Sequence, residues 1–482
     1  MLALLSVVPY PSSPSYETTT GFYSTGLYIT DIDKNGYKDI LVSNGNDMRR
    51  EVNHIFPNFT GIPSLTPSWY SHDTLYSGHL TVGDINGDGY YEVAVAGFSG
   101  YYSGWNRQVN VLYFNNSGNL NPNPYWVSDS GRCFGVASGD VNGDGLSDFA
   151  FFCGNDYSSD PEPVKVYISN GTGLSLYWLS DSIYSLGGKF LDVDNDNDLD
   201  LFVGVYYGKC RLYRNLGDTL EGTPSWQSRN SCTANQVAVG DINSDGYVDV
   251  VVANMGDVLI FYNNGGNLDT NAVVITGVGT YTSAVALGDI NGDGWLDLAV
   301  GGWWDPLFVF ENSGGYFSSP SWSWDAGSDL VSEYIFLADL NRDYVVDTFE
   351  NFTVSLKGVF TLKHKPIFSV DTVYINGTPT SDFVYSEEDG WVSIPQTSIN
   401  PGDNIRIVYK FSKSLDMVVS NWEPSRGNFI FLNGNSLETS ERFETLSLMG
   451  IYDVLGRRVD NVKKNGIYFV VEGGRVKKVL IR

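Results

Sequence analysis

Basic residues are scarce in this 482-residue chain: 29 Lys and Arg stand against 56 Asp and Glu, for a net charge of −27. A field of that sign repels nucleic acid and anionic membranes and attracts cations. Histidine is scarcer still. His54, His72, His79 and His364 are scattered, which suits packing or surface roles better than a metal or acid–base centre. HExxH, GxSxG and nucleotide-binding glycine loops are all missing, so the commonest zinc-protease, serine-hydrolase and nucleotide-binding signatures are excluded. No apolar run approaches the ~18–20 residues of a spanning helix. Helix-type charge patterns are few, whereas 53 Gly favour short strands and tight turns. Cys133, Cys153, Cys210 and Cys232 are the four cysteines. They are compatible with two disulfides in an oxidising compartment or with four buried thiols, and a chain of this size needs no staples. Residues 1–8 (MLALLSVV) are apolar without a basic flank, the expected look of a signal-peptide remnant.

What is present in abundance is one acidic nonapeptide. It recurs seven times: DIDKNGYKD from Asp31, DINGDGYYE from Asp84, DVNGDGLSD from Asp140, DVDNDNDLD from Asp192, DINSDGYVD from Asp241, DINGDGWLD from Asp289 and DLNRDYVVD from Asp339. The starts lie 53, 56, 52, 49, 48 and 50 residues apart. A period near 50 is a propeller blade, not a solenoid turn. Apolar runs flank each copy (VAVGD before, VVVAN after), a third strand follows, and a fourth carries Pro-Ser-Trp in several repeats. Four strands per repeat predict a seven-bladed β-propeller. Blade seven lacks an evident fourth strand after residues 348–364, so residues 12–20 are expected to supply it and close the ring.

The loop chemistry points to a hard cation. Oxygen side chains at positions 1, 3, 5 and 9, a carbonyl at position 7 and a turn residue at position 6 can converge on calcium, which takes six to eight oxygens. The candidate ligands of the first loop are Asp31, Asp33, Asn35, Tyr37 and Asp39. Those of the second are Asp84, Asn86, Asp88, Tyr90 and Glu92, and of the third Asp140, Asn142, Asp144, Leu146 and Asp148. The fourth has Asp192, Asp194, Asp196, Asp198 and Asp200. The fifth has Asp241, Asn243, Asp245, Tyr247 and Asp249, and the sixth Asp289, Asn291, Asp293, Trp295 and Asp297. The seventh has Asp339, Asn341, Asp343, Val345 and Asp347. Position 7 varies freely because only its backbone would serve. The fourth loop, with most carboxylates, is expected to bind most tightly. The seventh has Tyr344 where a positive φ is costly, so a weak or empty site is expected. Asp, Asn and Gly also build metal-free turns, but seven copies at one spacing favour the metal. Seven dications, +14, would bring the charge from −27 to −13.

These residues carry a family likeness. The stretches GDINGDGYYEVAVAGFSG and GDINGDGWLDLAVGG are similar to FG-GAP, or integrin-α-like (VCBS-type), repeats, and residues 20–350 resemble propellers of that family. The resemblance implies calcium in the hairpin between the first two strands of a blade. It is poor for function, since the family includes adhesion receptors, lectins and some enzymes.

Aromatics divide into two groups. Trp69, Trp126, Trp178, Trp226 and Trp322 recur 14 to 17 residues before the next nonapeptide, as packing elements between blades would. Others do not recur and follow the second strand: Phe98, Tyr101, Tyr102, Trp105, Tyr157, Tyr206, Tyr207, Trp303 and Trp304. Strand alternation puts them on the face opposite the acidic loops. There they are expected either to pack over the channel or to bind a glycan or protein, with Tyr101, Tyr102, Trp105, Tyr206, Tyr207, Trp303 and Trp304 as candidate contacts.

Three domains are expected: a propeller over residues 1–365, a small β-sandwich over 366–440 and a C-terminal β segment over 441–482. Residues 451–482 carry eight Lys/Arg and three Asp/Glu. Tyr452, Asp453, Gly456, Arg457, the run 466–469 (GIYF), Lys477 and Lys478 resemble the end of type IX secretion C-terminal sorting domains. The leading expectation is a secreted or cell-surface, calcium-binding, non-enzymatic protein that recognises glycan or protein, with possible anchoring through its C-terminus. A polysaccharide-active enzyme and a structural surface protein are the alternatives.

Overall fold

The computed structural model describes residues 9–154, 159–217, 219–434, 450–452, 466–472 and 475–481, the last three segments by backbone alone. It is all-β. Among the described residues, seven four-stranded antiparallel blades form a β-propeller, the fourth and fifth joined into one eight-stranded sheet where Tyr206 pairs with Thr233, and their innermost strands neighbour one another in a closed cycle. These strands are Ser24–Thr30, Ser77–Gly83, Cys133–Gly139, Ser185–Leu191, Cys232–Gly240, Thr282–Gly288 and Ser332–Ala338. Packed between neighbouring blades on both faces, they are almost wholly buried. That burial explains their apolar runs rather than a clean alternation.

Each nonapeptide joins the first strand to the second. Position 9 opens the second strand at Asp39, Glu92, Asp148, Asp200, Asp249 and Asp297 in blades one to six. Blade seven departs from this. Its second strand is Asp416–Asn421, paired with Ser332–Ala338. Its third is Phe429–Phe431. Its fourth is Tyr16–Glu17, where Tyr16 faces Ile430. The N-terminal segment therefore closes the ring, as the repeat pattern required.

The division into a propeller ending at 365 and a following sandwich is corrected by this topology. Residues 345–412 are inserted within the seventh acidic loop, after which the chain returns to finish the blade. Two sheets make the insertion. One pairs Val345–Thr353, Asn404–Ser412, Ile367–Ile375 and Thr378–Thr380; the other pairs Val359–Thr361, Trp391–Ser393 and Val384–Tyr385. Their shared core includes Phe360, Val373, Val392, Ile405, Ile407 and Tyr409. The stretch 348–364, expected in blade seven, belongs to this sandwich. Residues from Gly434 form a second compact unit. Its described strands are Gly450–Tyr452, Gly466–Glu472 and Arg475–Ile481, antiparallel in that order. The GIYF run and Lys477–Lys478 fall in strands, whereas Asp453, Gly456 and Arg457 lie outside the described residues.

The inserted sandwich rests on the acidic-loop face. Ser393 Oγ donates to Asp140 at 2.8 Å, and Gln396 N to the Gly143 carbonyl at 2.9 Å. Val359 N and O bond the backbone and side chain of Asn197. A turn at residues 386–390 meets residues that line the channel. Glu388 accepts from Tyr334 Oη at 2.9 Å and pairs with Lys189 at 2.6 Å. Glu387 pairs with Lys38 at 2.8 Å, and all four charged partners are largely buried.

Candidate functional site: acidic loops and channel mouth

The loops share one hydrogen-bond scheme. The position-1 carboxylate accepts the position-6 N–H at 2.7–3.0 Å in blades one to six. The position-5 side chain accepts the position-7 N–H in the same six loops. Position 4 has a positive φ in all seven loops, from 56° at Arg342 to 76° at Gly292. Position 6 has one in six loops, including Asn197 at 74°. The sequence reading located only the second of these left-handed positions. Tyr344 is not among the positive-φ residues. The chain leaves the loop there for the insertion, so the expected strain does not arise.

The seventh loop is completed from a distance. Asp416 Oδ2 accepts Leu340 N at 2.9 Å, the contact that Asp39, Glu92, Asp148, Asp200, Asp249 and Asp297 make with position 2 of their own loops. Position 9 is therefore Asp416. The assignments of Asp347 and Val345 are corrected: both sit in the inserted strand, opposite Lys410 and Ser412, with the Asp347 side chain 79% exposed.

The donor sets fit a cation. Carboxylate oxygens of Asp31, Asp33 and Asp39, and of Asp192, Asp194 and Asp196, lie within 4.8 Å of one another. In blades two, three, five and six the position-3 Asn donates through Nδ2 to the position-5 Asp carboxylate at 3.0–3.2 Å, so the two side chains face each other across the loop. Buried oxygens of Asp31, Asp194, Asp198 and both of Asp343 have no hydrogen-bond partner. Such orphans are costly in a folded protein unless something else satisfies them. Burial, reinforced by neighbouring carboxylates, pushes Asp39 and Asp249 up to about 7 and Glu92 and Asp297 up to about 8. Carboxyls this reluctant to ionise are the ones a dication would stabilise. In the fourth loop an ion pair from Arg214 reaches Asp194, which competes with the expectation that this loop binds most tightly.

A set of asparagines was missed. Asn58, Asn115, Asn215, Asn263, Asn312 and Asn433 follow the third strands. Each donates its backbone N–H to the position-9 carboxylate of its own blade. Each also reaches through Nδ2 to the position-2 carbonyl of the preceding blade, at 2.7–3.0 Å. The signal was an aromatic-x-Asn ending to the third strand, with Ser169 in its place in blade three. The recurring tryptophans are staples in the other direction. The indoles of Trp69, Trp126, Trp178 and Trp226 donate to carbonyls of Leu120, Leu174, Glu221 and Leu268 in the next blade, and Trp322 to Pro11.

The opposite end of the channel opens into a cavity of about 160 Å³. All seven blades contribute to it, among them Asp47, Phe98, Phe134, Leu186, Asn235, Trp303 and Glu333. Of the candidate contacts, Tyr206, Trp303 and Trp304 line it. Tyr207 stands beside Tyr206 and is 61% exposed. Tyr101 and Trp105 pack edge to face on a neighbouring turn and do not line the cavity, although Tyr101 N donates to the carbonyl of the lining residue Asp47 at 2.8 Å. Tyr102 has its backbone in that turn, and Tyr157 lies outside the described residues. Trp105, Tyr207 and Trp304 have φ of 59–61°. Bulky residues seldom hold that conformation, and such strain gathers at functional sites.

Of the histidines, His54, His79 and His364 pack against rings (Phe22, Phe134 and Phe411) and are held neutral by burial. His72 is exposed beside Asn123. Cys133 and Cys153 form a disulfide, whereas Cys210 and Cys232 are buried free thiols.

Fold and loops together define a β-propeller whose blades share one acidic loop, and part of the chain carries FG-GAP-like repeats. The FG-GAP-like repeat family model matches residues 84–151, 192–252 and 241–300. No curated protein sequence matches the chain. Among solved structures, the crystal structure of Saccharomyces cerevisiae Sqt1 is similar at 10% identity with a TM-score of 0.46, covering 88% of this chain and 99% of that one.

Proposed function

We propose that this chain is a secreted or cell-surface calcium-binding recognition protein without catalytic activity, which takes a glycan or protein ligand at the channel mouth opposite the acidic loops. The observation that carries this reading is the mouth itself, where seven blades converge on one aromatic-lined cavity. Ligand sites are concave and largely apolar with a few placed polar groups. Calcium is the cation best suited to oxygen-only donor sets. The Cys133–Cys153 disulfide supports an oxidising compartment. The basic strands after residue 450 support a sorting or anchoring role for residues 441–482.

Glycan and protein arrays probed with and without calcium test the reading. Binding that is lost with Trp304→Ala is expected. A Trp304→Ala protein that binds every captured ligand as before would remove the mouth from consideration. Each filled calcium site adds ~2.7 kcal/mol at a hundredfold excess over Kd, so excess EDTA should lower the melting temperature of metal-loaded protein. An unchanged melt would rule out structural calcium.

A further inference from the structure

The mouth cavity has a polarity that its aromatic lining conceals. Among the described residues, its charged lining groups are Asp47 and Glu333, both acids, and no Lys, Arg or His lines it. Glu333 projects from the start of the innermost strand of blade seven and is 3% exposed. Asn46 Nδ2 donates to its Oε1 at 3.0 Å. The Trp303 indole N–H leans toward it without reaching hydrogen-bond geometry. Burial first, and then the charge of Asp47, push Glu333 up to about 8. Of the neighbouring titratable groups, His79 on the innermost strand of blade two turns its ring to the Glu333 backbone and is pushed down to about 3 by burial and by Lys189, so it brings no positive charge. Lys189 is itself paired with Glu388 and Asp389, and Tyr334, next along the strand, donates to Glu388.

Rings surround these acids. Trp303 stacks with Tyr281 and meets Trp304 edge to face, while Tyr206 and Trp422 complete the wall. Aromatic rings beside two acids with no cation among the lining residues attract a cation, because ring quadrupole and carboxylate act with the same sign. The volume selects the size of guest. About 160 Å³ is well below the ~300–1,000 Å³ of ordinary ligand pockets. It suits one side chain better than an oligosaccharide.

Resting on the recognition reading above, we infer that the channel mouth is a receptor for an alkylammonium group, the lysine side chain of a protein partner. Entry of the ammonium favours ionised Glu333, so below about pH 8 a proton leaves Glu333 for solvent as the cation binds. Affinity should then rise with pH, by up to about tenfold per unit, and level off near pH 8.

The test uses the full chain and two probes, Nα-acetyl-lysine-N-methylamide and its norleucine counterpart, which matches the stem without the charge. Tryptophan fluorescence and calorimetry follow binding from pH 6 to 9. The lysine probe should bind at least about tenfold more tightly than the norleucine probe. It should release protons, seen as a buffer-dependent heat. Glu333→Gln should abolish the pH dependence, and Trp304→Ala, at an exposed position, should weaken binding without unfolding the chain. Equal binding of both probes would overturn the inference. So would saturation by a neutral monosaccharide with no response to the lysine probe. If the lysine probe fails while Trp304→Ala still abolishes capture on the arrays, the recognition reading stands and the cation assignment falls.

Discussion

At the residue scale, the position-9 carboxylate is both a candidate cation ligand and a structural hub. Asp249 accepts Ile242 N at 2.9 Å and Asn263 N at 2.7 Å. Asn263 then carries the connection out of the blade, donating to Val193 O at 2.7 Å and to Val248 O at 3.1 Å. Its own Oδ1 accepts Gly266 N at 2.9 Å. Asn263 is fully buried, so truncation leaves stranded acceptors and a donor that no water replaces at little cost. Net hydrogen bonds contribute ~0.5–1.5 kcal/mol each, and an unsatisfied buried group costs ~1–3 kcal/mol. Asn263→Ala should therefore destabilise the ring by roughly 2–4 kcal/mol in urea denaturation. A loss under about 0.5 kcal/mol would mean that the blades hold together without these staples. The native Ser169 marks the blade-three position where this side-chain link is replaced: its N–H still reaches Asp148 at 2.8 Å, but its hydroxyl has no partner.

At the element scale, most of the ring was legible because each blade repeats a loop whose chemistry tolerates little change. The six uninterrupted loops, the strands beside them, the packing role of the tryptophans and the N-terminal closure all follow from that repetition. Blade seven was not legible, for a local reason. The run DLNRDYVVD ends in an aspartate at the ninth position by accident of the inserted strand, while the true continuation, SLDMVVSN, lies some seventy residues later. Loop closure grows costlier only slowly with length, so a whole sandwich can occupy a turn without loosening it. Backbone geometry hid the rest. Lys34, Ser244 and Arg342 hold left-handed φ at position 4, where their residue types give no hint of it. The insertion should accordingly be removable. Replacing residues 344–413 by one glycine recreates a nonapeptide, Asp339-Leu-Asn-Arg-Asp-Gly-Ser-Leu-Asp416, with the regular spacing. The shortened chain should keep its near-native circular dichroism and cooperative melt, with lower stability because Lys38 and Lys189 lose Glu387 and Glu388. A chain that fails to fold would show the sandwich to be part of the ring's core.

At the scale of the whole molecule, a ring made from one chain must be closed by joining distant parts, and here the closure uses both ends of the propeller. Residues 9–20 are short in strand but rich in contacts. Ser15 N donates to Ile430 O at 2.8 Å and Thr18 N to Asn428 O at 3.1 Å. Tyr10 is 6% exposed, sits edge to face on Trp322, and donates through Oη to Leu415 O at 2.8 Å. Arg426 holds Glu17 through two nitrogens, the Nε contact measuring 2.9 Å. Deleting residues 1–20 removes the outer strand of blade seven and uncovers Phe429–Phe431 as a free edge. Loss of the buried Tyr10 alone costs roughly 3–5 kcal/mol, judged by other large aromatic truncations. The free edge adds a route to intermolecular pairing. The deletion should lower the urea midpoint strongly and aggregate on warming, whereas Tyr10→Phe, which keeps the ring and loses one hydrogen bond, should cost only about 1 kcal/mol. A 1–20 deletion with a wild-type midpoint and no aggregation would mean that blade seven is complete with three strands, and that the ring is held shut by its inner strands and asparagine staples alone.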